Sequence, residues 1–167
     1  MKLNLKGKQN GFTLVELLVA VAILGAIGGA LSTAITYIIR GSDRTKDQAV
    51  ILQQVQNAGY WISRDVQMAV DVTPGGGGAL VTVDQTDGVN DYVVAYVFDG
   101  TTLKRQLGGQ QTLVAQYIVE GDTSFVDDTE VGVDRFTKYK LTIKASRGEA
   151  EVERVYEIAK RMPDESE

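Results

Sequence analysis

The chain has 167 residues, room for one modest domain plus one extra element. It contains neither cysteine nor histidine, which excludes a disulfide, a cysteine nucleophile, a Ser-His-Asp triad and a zinc site built on nitrogen or sulfur ligands. The net charge is -5; setting aside Lys2, Lys6 and Lys8 leaves 14 basic residues against 22 acidic, or -8, which argues against nucleic-acid binding through a broad basic patch.

Residues 1–11 are short, basic and free of acids. Residues 12–39 follow as 28 nearly unbroken apolar positions whose one charge is Glu16. As a helix they would run about 42 Å at 1.5 Å per residue, more than the roughly 30 Å hydrocarbon core of a bilayer. The lysines before them should stay in the cytoplasm, which puts the C-terminal part outside.

Between 41 and 70 the pattern becomes amphipathic. Ile51, Val55, Gly59, Ile62, Val66 and Ala69 recur at spacings of four and three, one stripe of a helix. Asp43, Arg44, Lys46, Gln53, Gln56, Asn57, Arg64 and Asp65 are placed on the opposite side. No proline interrupts 12–70, so the spacing predicts one helix of about 88 Å, with Gly41-Ser42 as a soft spot. A helix that long cannot lie within a compact domain alone, so its first half must be buried in something else.

Pro74 and the glycines 75–78 are expected to end the helix. Those glycines follow a helix and lack a following Lys-Ser/Thr, so they read as a linker rather than a phosphate loop. Residues 79–83, 92–98, 101–107 and 112–119 alternate as strands. Asp99-Gly100 and Arg147-Gly148 signal two-residue hairpins. With Arg147-Gly148 as the loop, Lys144 would face Glu151, Ile143 Val152, Tyr139 Tyr156 and Lys138 Glu157. The tail at 162–167 is polar and acidic and reads as disordered. The predicted architecture is α+β: one long N-terminal helix whose outer half covers the apolar face of an antiparallel sheet. Its divisions are 1–11 leader, 12–40 membrane-spanning and core helix, 41–73 amphipathic half, 74–161 sheet domain and 162–167 tail.

The stretch Lys8-Gln9-Asn10-Gly11-Phe12-Thr13-Leu14-Val15-Glu16-Leu17-Leu18-Val19-Ala20 resembles the signal of type IV prepilins and of the pseudopilins of type II secretion. The matching parts are a basic leader ending in Gly11, an aromatic first mature residue Phe12, and Glu16 as the fifth mature residue. The resemblance implies a pilin-like fold and a membrane aspartyl peptidase, the prepilin peptidase, that cuts after Gly11 and methylates the new amine of Phe12. It also implies that Glu16 pairs with the terminus of an adjacent subunit during assembly. The implied partners are that peptidase, other pilin or pseudopilin subunits, the inner-membrane assembly platform and membrane lipid, with no direct nucleic acid. The implied location is the cytoplasmic membrane, then an extracytoplasmic filament.

The chemistry of these positions can be argued beside the resemblance. A charged side chain deep in a bilayer costs roughly 2.5–3.5 kcal/mol, so an acid there calls for a partner. Cutting after Gly11 makes one, a positive amine a turn away. The bland alternative places Glu16 near the headgroups of an ordinary anchor. Ala30-Leu31-Ser32 and Ser32-Thr33-Ala34 offer a rival cut by ordinary signal peptidase, which would release a soluble domain. Gly25 and Gly29 form a GxxxG pair suited to close helix packing, local melting of the helix or no special role.

Asp122, Asp127 and Asp128 are the candidate ligands for calcium, although solvated turns also explain them. No cofactor is otherwise expected. Residues 52–69, with Arg64-Asp65, resemble the helix of J-type minor pseudopilins and related minor pilins. The preferred expectation is therefore a non-enzymatic minor subunit of a type II secretion or type IV pilus-like filament. A major pilin of an unusual lineage, or an anchored extracytoplasmic binding domain, are the alternatives.

Overall fold

The computed structural model describes residues 11–75, 78–130 and 136–161. The leader lysines Lys2, Lys6 and Lys8, the linker glycines Gly76 and Gly77, and the tail at 162–167 lie outside the described residues. Two compact units divide between Asp43 and Arg44, and one helix, α1 (Leu14–Gln67), passes through both.

In the first unit every described residue is exposed, among them Leu17, Leu24 and Leu31. An 18-residue window of α1 reaches a mean hydropathy of 2.4 with none of it buried, so the helix is long and apolar enough to cross a membrane.

In the second unit α1 buries Ile51, Val55, Ala58, Gly59, Ile62, Asp65 and Val66, the one-sided stripe that spacings of three and four produce. Each fully buried Ile or Val contributes about 1.5–3 kcal/mol. Asp65, expected on the solvent side, lies on this buried face. The helix ends at Gln67, well before Pro74. A last tight turn joins the Ala69 N–H to the Val66 carbonyl, and the Val70 N–H then bonds to the Asp84 carbonyl at 2.7 Å. The chain is thus drawn into a strand, β1 (Asp71–Pro74), before the proline.

β1 opens a five-stranded antiparallel meander with β2 (Ala79–Thr86), β3 (Asp91–Asp99), β4 (Thr102–Leu107) and β5 (Gln110–Ala115). A second antiparallel sheet holds β6 (Ser124–Asp127), β7 (Phe136–Arg147) and β8 (Ala150–Arg161). Val81, Val83, Val94, Tyr96 and Leu103 of the first sheet and Leu141, Ile143 and Ile158 of the second share one core with the helix stripe.

The expected strand over 112–119 is split. Tyr117 has φ +63, a conformation that a bulky residue rarely adopts and that breaks the ladder. The Gln116 N–H turns instead to the Gln54 side chain on α1, at 2.9 Å. Beyond that kink, Ile118 donates to the Thr101 carbonyl and pairs with Ala145, so residues 117–119 stitch the two sheets together.

Both predicted hairpins form, each two positions out of the expected register. Asp99 pairs with Thr102, and Arg147 with Ala150. The loops are Gly100-Thr101 and Gly148-Glu149, with the glycine in the first place at φ +60 and +59. That is the type II′ choice, whereas the expected loops Asp99-Gly100 and Arg147-Gly148 put glycine second, as in type I′. A shift of two keeps every side chain on its face. Lys144 consequently sits opposite Glu153 and reaches Glu151 on the diagonal, at 3.6 Å.

Candidate functional site: the amino end of the helix

Residues 11–13 are not helical, and α1 starts at Leu14 with Thr13 as its N-cap. The first N–H groups of a helix have no partner within it and must find one elsewhere. Here Thr13 Oγ1 accepts the Glu16 N–H at 3.2 Å, while the Glu16 carboxylate accepts the Thr13 N–H at 3.1 Å and the Thr13 hydroxyl at 3.2 Å. This is a reciprocal capping box, and it places the one acid of the apolar segment at the positive end of the helix dipole. The Thr-x-x-Glu spacing of Thr13 and Glu16 is the sequence signature of such a box. Phe12, just outside the cap, is 87% exposed.

Gly25, Gly28 and Gly29 follow along the same exposed stretch. A Cβ built on any of them would meet no atom of the chain, so intrachain crowding does not explain the glycines. Thr33 and Thr36 bond back to the Gly29 and Ser32 carbonyls at 3.0 and 2.9 Å, which satisfies their hydroxyls within the helix.

The acidic residues considered for calcium are not gathered. Asp122 forms an ion pair with Lys144 at 3.0 Å, and Asp127 accepts the Thr129 N–H at 3.0 Å. Among the described residues no three or more acids form a group that could hold a metal ion.

The second feature the sequence did not announce is a polar knot under α1. Asp65 is 2% exposed; its Oδ2 accepts the Tyr96 hydroxyl at 2.6 Å and Arg105 Nε at 2.7 Å. Gln85 donates to the Asp65 carbonyl at 2.8 Å. Burial, then the hydrogen bond to Asp65 and its charge, push the Tyr96 phenol far above its ordinary range. The bond to Asp65 raises Arg105 as well. Thus Arg64, the other half of the Arg-Asp motif, is not the partner of Asp65. It lies over the Trp61 ring at 5.7 Å, with Arg105 also 5.8 Å from that ring.

An exposed apolar helix with a capped, acid-bearing start, continuing into an amphipathic half under antiparallel strands, is a pilin-like architecture. Residues 6–32 match the family model of the prokaryotic N-terminal methylation motif, the signal of type IV pilin-like precursors processed by prepilin peptidase. The match spans Gly11, Phe12, Glu16, Gly25 and Gly29. No curated protein and no solved structure matches the chain.

Proposed function

We propose that this chain is a structural, non-enzymatic subunit of an extracytoplasmic type IV pilus-like or type II secretion filament, as a minor pilin or minor pseudopilin. It is cut after Gly11 and methylated on Phe12, with Glu16 as the assembly acid and Gly25 and Gly29 at a helix-packing face. The observation that carries this reading is the exposure of the whole apolar start of α1, which carries a single acid in its first turn. Before assembly lipid covers that surface; in a filament neighbouring subunits do. The N-terminus lies inside and residues 44–161 outside the cytoplasmic membrane, in keeping with the lysines of the leader.

Mass spectrometry of the mature N-terminus tests the processing: methyl-Phe at position 12 is expected, whereas a start near Thr33 or Ile35 would overturn it. Glu16→Ala tests assembly, and the variant should insert and be cleaved yet fail to assemble. Normal assembly of Glu16→Ala would remove Glu16 as the assembly acid, and failure of the wild type itself to assemble would leave the helix as an anchor only.

A further inference from the structure

The edge of a β-sheet is a row of unpaired N–H and C=O groups, a template for another strand unless something blunts or covers it. Among the described residues, three of the sheet edges are short or covered. β1 and β6 have four residues each. β5 is closed by α1, where Asn57 donates to the Val114 carbonyl at 2.6 Å and the Gln54 side chain accepts the Gln116 N–H at 2.9 Å. β8 differs. Its 12 residues contain neither proline nor glycine, and its register with β7 runs unbroken from the Arg147–Ala150 pair to the Phe136–Arg161 pair.

In β7 the Lys144 carbonyl accepts the Val119 N–H, and the Ser146 N–H bonds to the Tyr117 carbonyl, so the even-numbered residues face away from β8. The odd-numbered residues of β7 therefore bond to β8, where their partners are the even-numbered positions. Glu151, Glu153, Val155, Glu157 and Ala159 are left pointing their N–H and C=O groups outward. All five are exposed, and no described residue bonds to those groups.

We propose that the open edge of β8 accepts an extended segment of another protein, paired antiparallel and carrying lysine or arginine at alternate positions. The side chains choose the partner. Glu151, Glu153 and Glu157 share the outer face of the strand with Val155, which is 50% exposed. Across β7, Lys144 lies opposite Glu153 and Lys140 opposite Glu157, so cations on the far flank would complete a basic-acidic-basic row. A second copy does not fit. Two β8 strands paired antiparallel about Val155 would set Glu153 of each against Glu157 of the other, and like charges directly opposite destabilise a pair. The fitting segment reads cation, apolar, cation, cation at every second residue, facing Glu157, Val155, Glu153 and Glu151 in turn. This edge is the same in a filament subunit and in an anchored domain, so the proposal does not depend on the filament reading.

The test titrates the full chain in detergent with a fluorescent peptide, Lys-Thr-Val-Thr-Lys-Thr-Lys. Two control peptides accompany it, one with glutamate for every lysine and one N-methylated at the valine and the central lysine. Anisotropy reads the affinity, and hydrogen exchange reads the amides of Glu153, Val155 and Glu157. The parent peptide should bind and protect those amides, and both controls should bind at least about tenfold more weakly. On the protein side, Glu153→Lys combined with Glu157→Lys should weaken binding by about tenfold or more through charge. Val155→Pro removes an outward N–H, keeps the bonds to β7 and should weaken it as much. Equal binding of the N-methylated peptide would reduce the contact to charge attraction without strand pairing. No binding of the parent peptide, or no change in either protein variant, would remove β8 as the acceptor. A chain that dimerises alone and returns to monomer with Val155→Pro would put a second copy on this edge. Each of these three results overturns the proposal.

Discussion

Replacing Asp65 by alanine would leave the Arg105 guanidinium and the Tyr96 hydroxyl facing a core without their acceptor. Removing one partner of a largely buried pair costs about 3–5 kcal/mol, so Asp65→Ala should lower the denaturant midpoint of the full chain in detergent markedly. Arg64→Ala, which loses only its stacking on Trp61, should cost under about 1 kcal/mol. Alkaline pH probes the same knot. Tyr96 is held neutral above its ordinary value, so its contribution is full below about pH 10 and declines as pH rises past that value. Burial raises Tyr139 and Tyr156 in the same direction. The midpoint should be flat up to about pH 9 and fall above about pH 10, more steeply in wild type than in Tyr96→Phe. A slope that Tyr96→Phe leaves unchanged would remove Tyr96 as its source.

Among the elements, the helix and hairpins show what patterning conveys and what it omits. The stripe Ile51, Val55, Gly59, Ile62, Val66 was readable because burial on one helix face repeats with the turn. Asp65 defeated that reading, since a carboxylate next to Val66 looks solvated until Arg105 arrives from β4, a partner that spacing cannot supply. The strands were legible from alternation, but β1 and β6, four residues each, were too short for a period to register. At the candidate site, Glu16 stands out in the sequence as the one charge of the apolar run and Gly11 and Phe12 are singled out by the prepilin resemblance, whereas the capping contribution of Thr13 needed its hydroxyl to be placed. The hairpins were foreseen, but glycine in the first loop position cannot be told from glycine in the second without φ. That position is testable. Gly100→Ala must force φ +60 on alanine and should cost about 1 kcal/mol or more, while Gly121→Ala, with open space and no such φ, should stay within about 0.5 kcal/mol. Equal thermal shifts for the two would contradict the turn assignment.

At the scale of the whole molecule, the topology proposed above sets an order of arrival outside the membrane: α1 first, β8 last. A Cβ on Gly59 would lie 2.3 Å from the Tyr156 ring, and the Tyr156 hydroxyl bonds to the Val55 carbonyl, 101 residues away along the chain. Gly59→Ala should therefore destabilise the full chain by about 1–3 kcal/mol, and combining it with Tyr156→Leu should give less than the sum of the two losses. Additive losses would mean that the two residues do not touch. Lys160, near the end of β8, likewise closes on the Val70 carbonyl. In that topology the strand that crosses last carries the contacts that close on the helix that crossed first, so the domain cannot close on α1 until Tyr156 and Lys160 are outside.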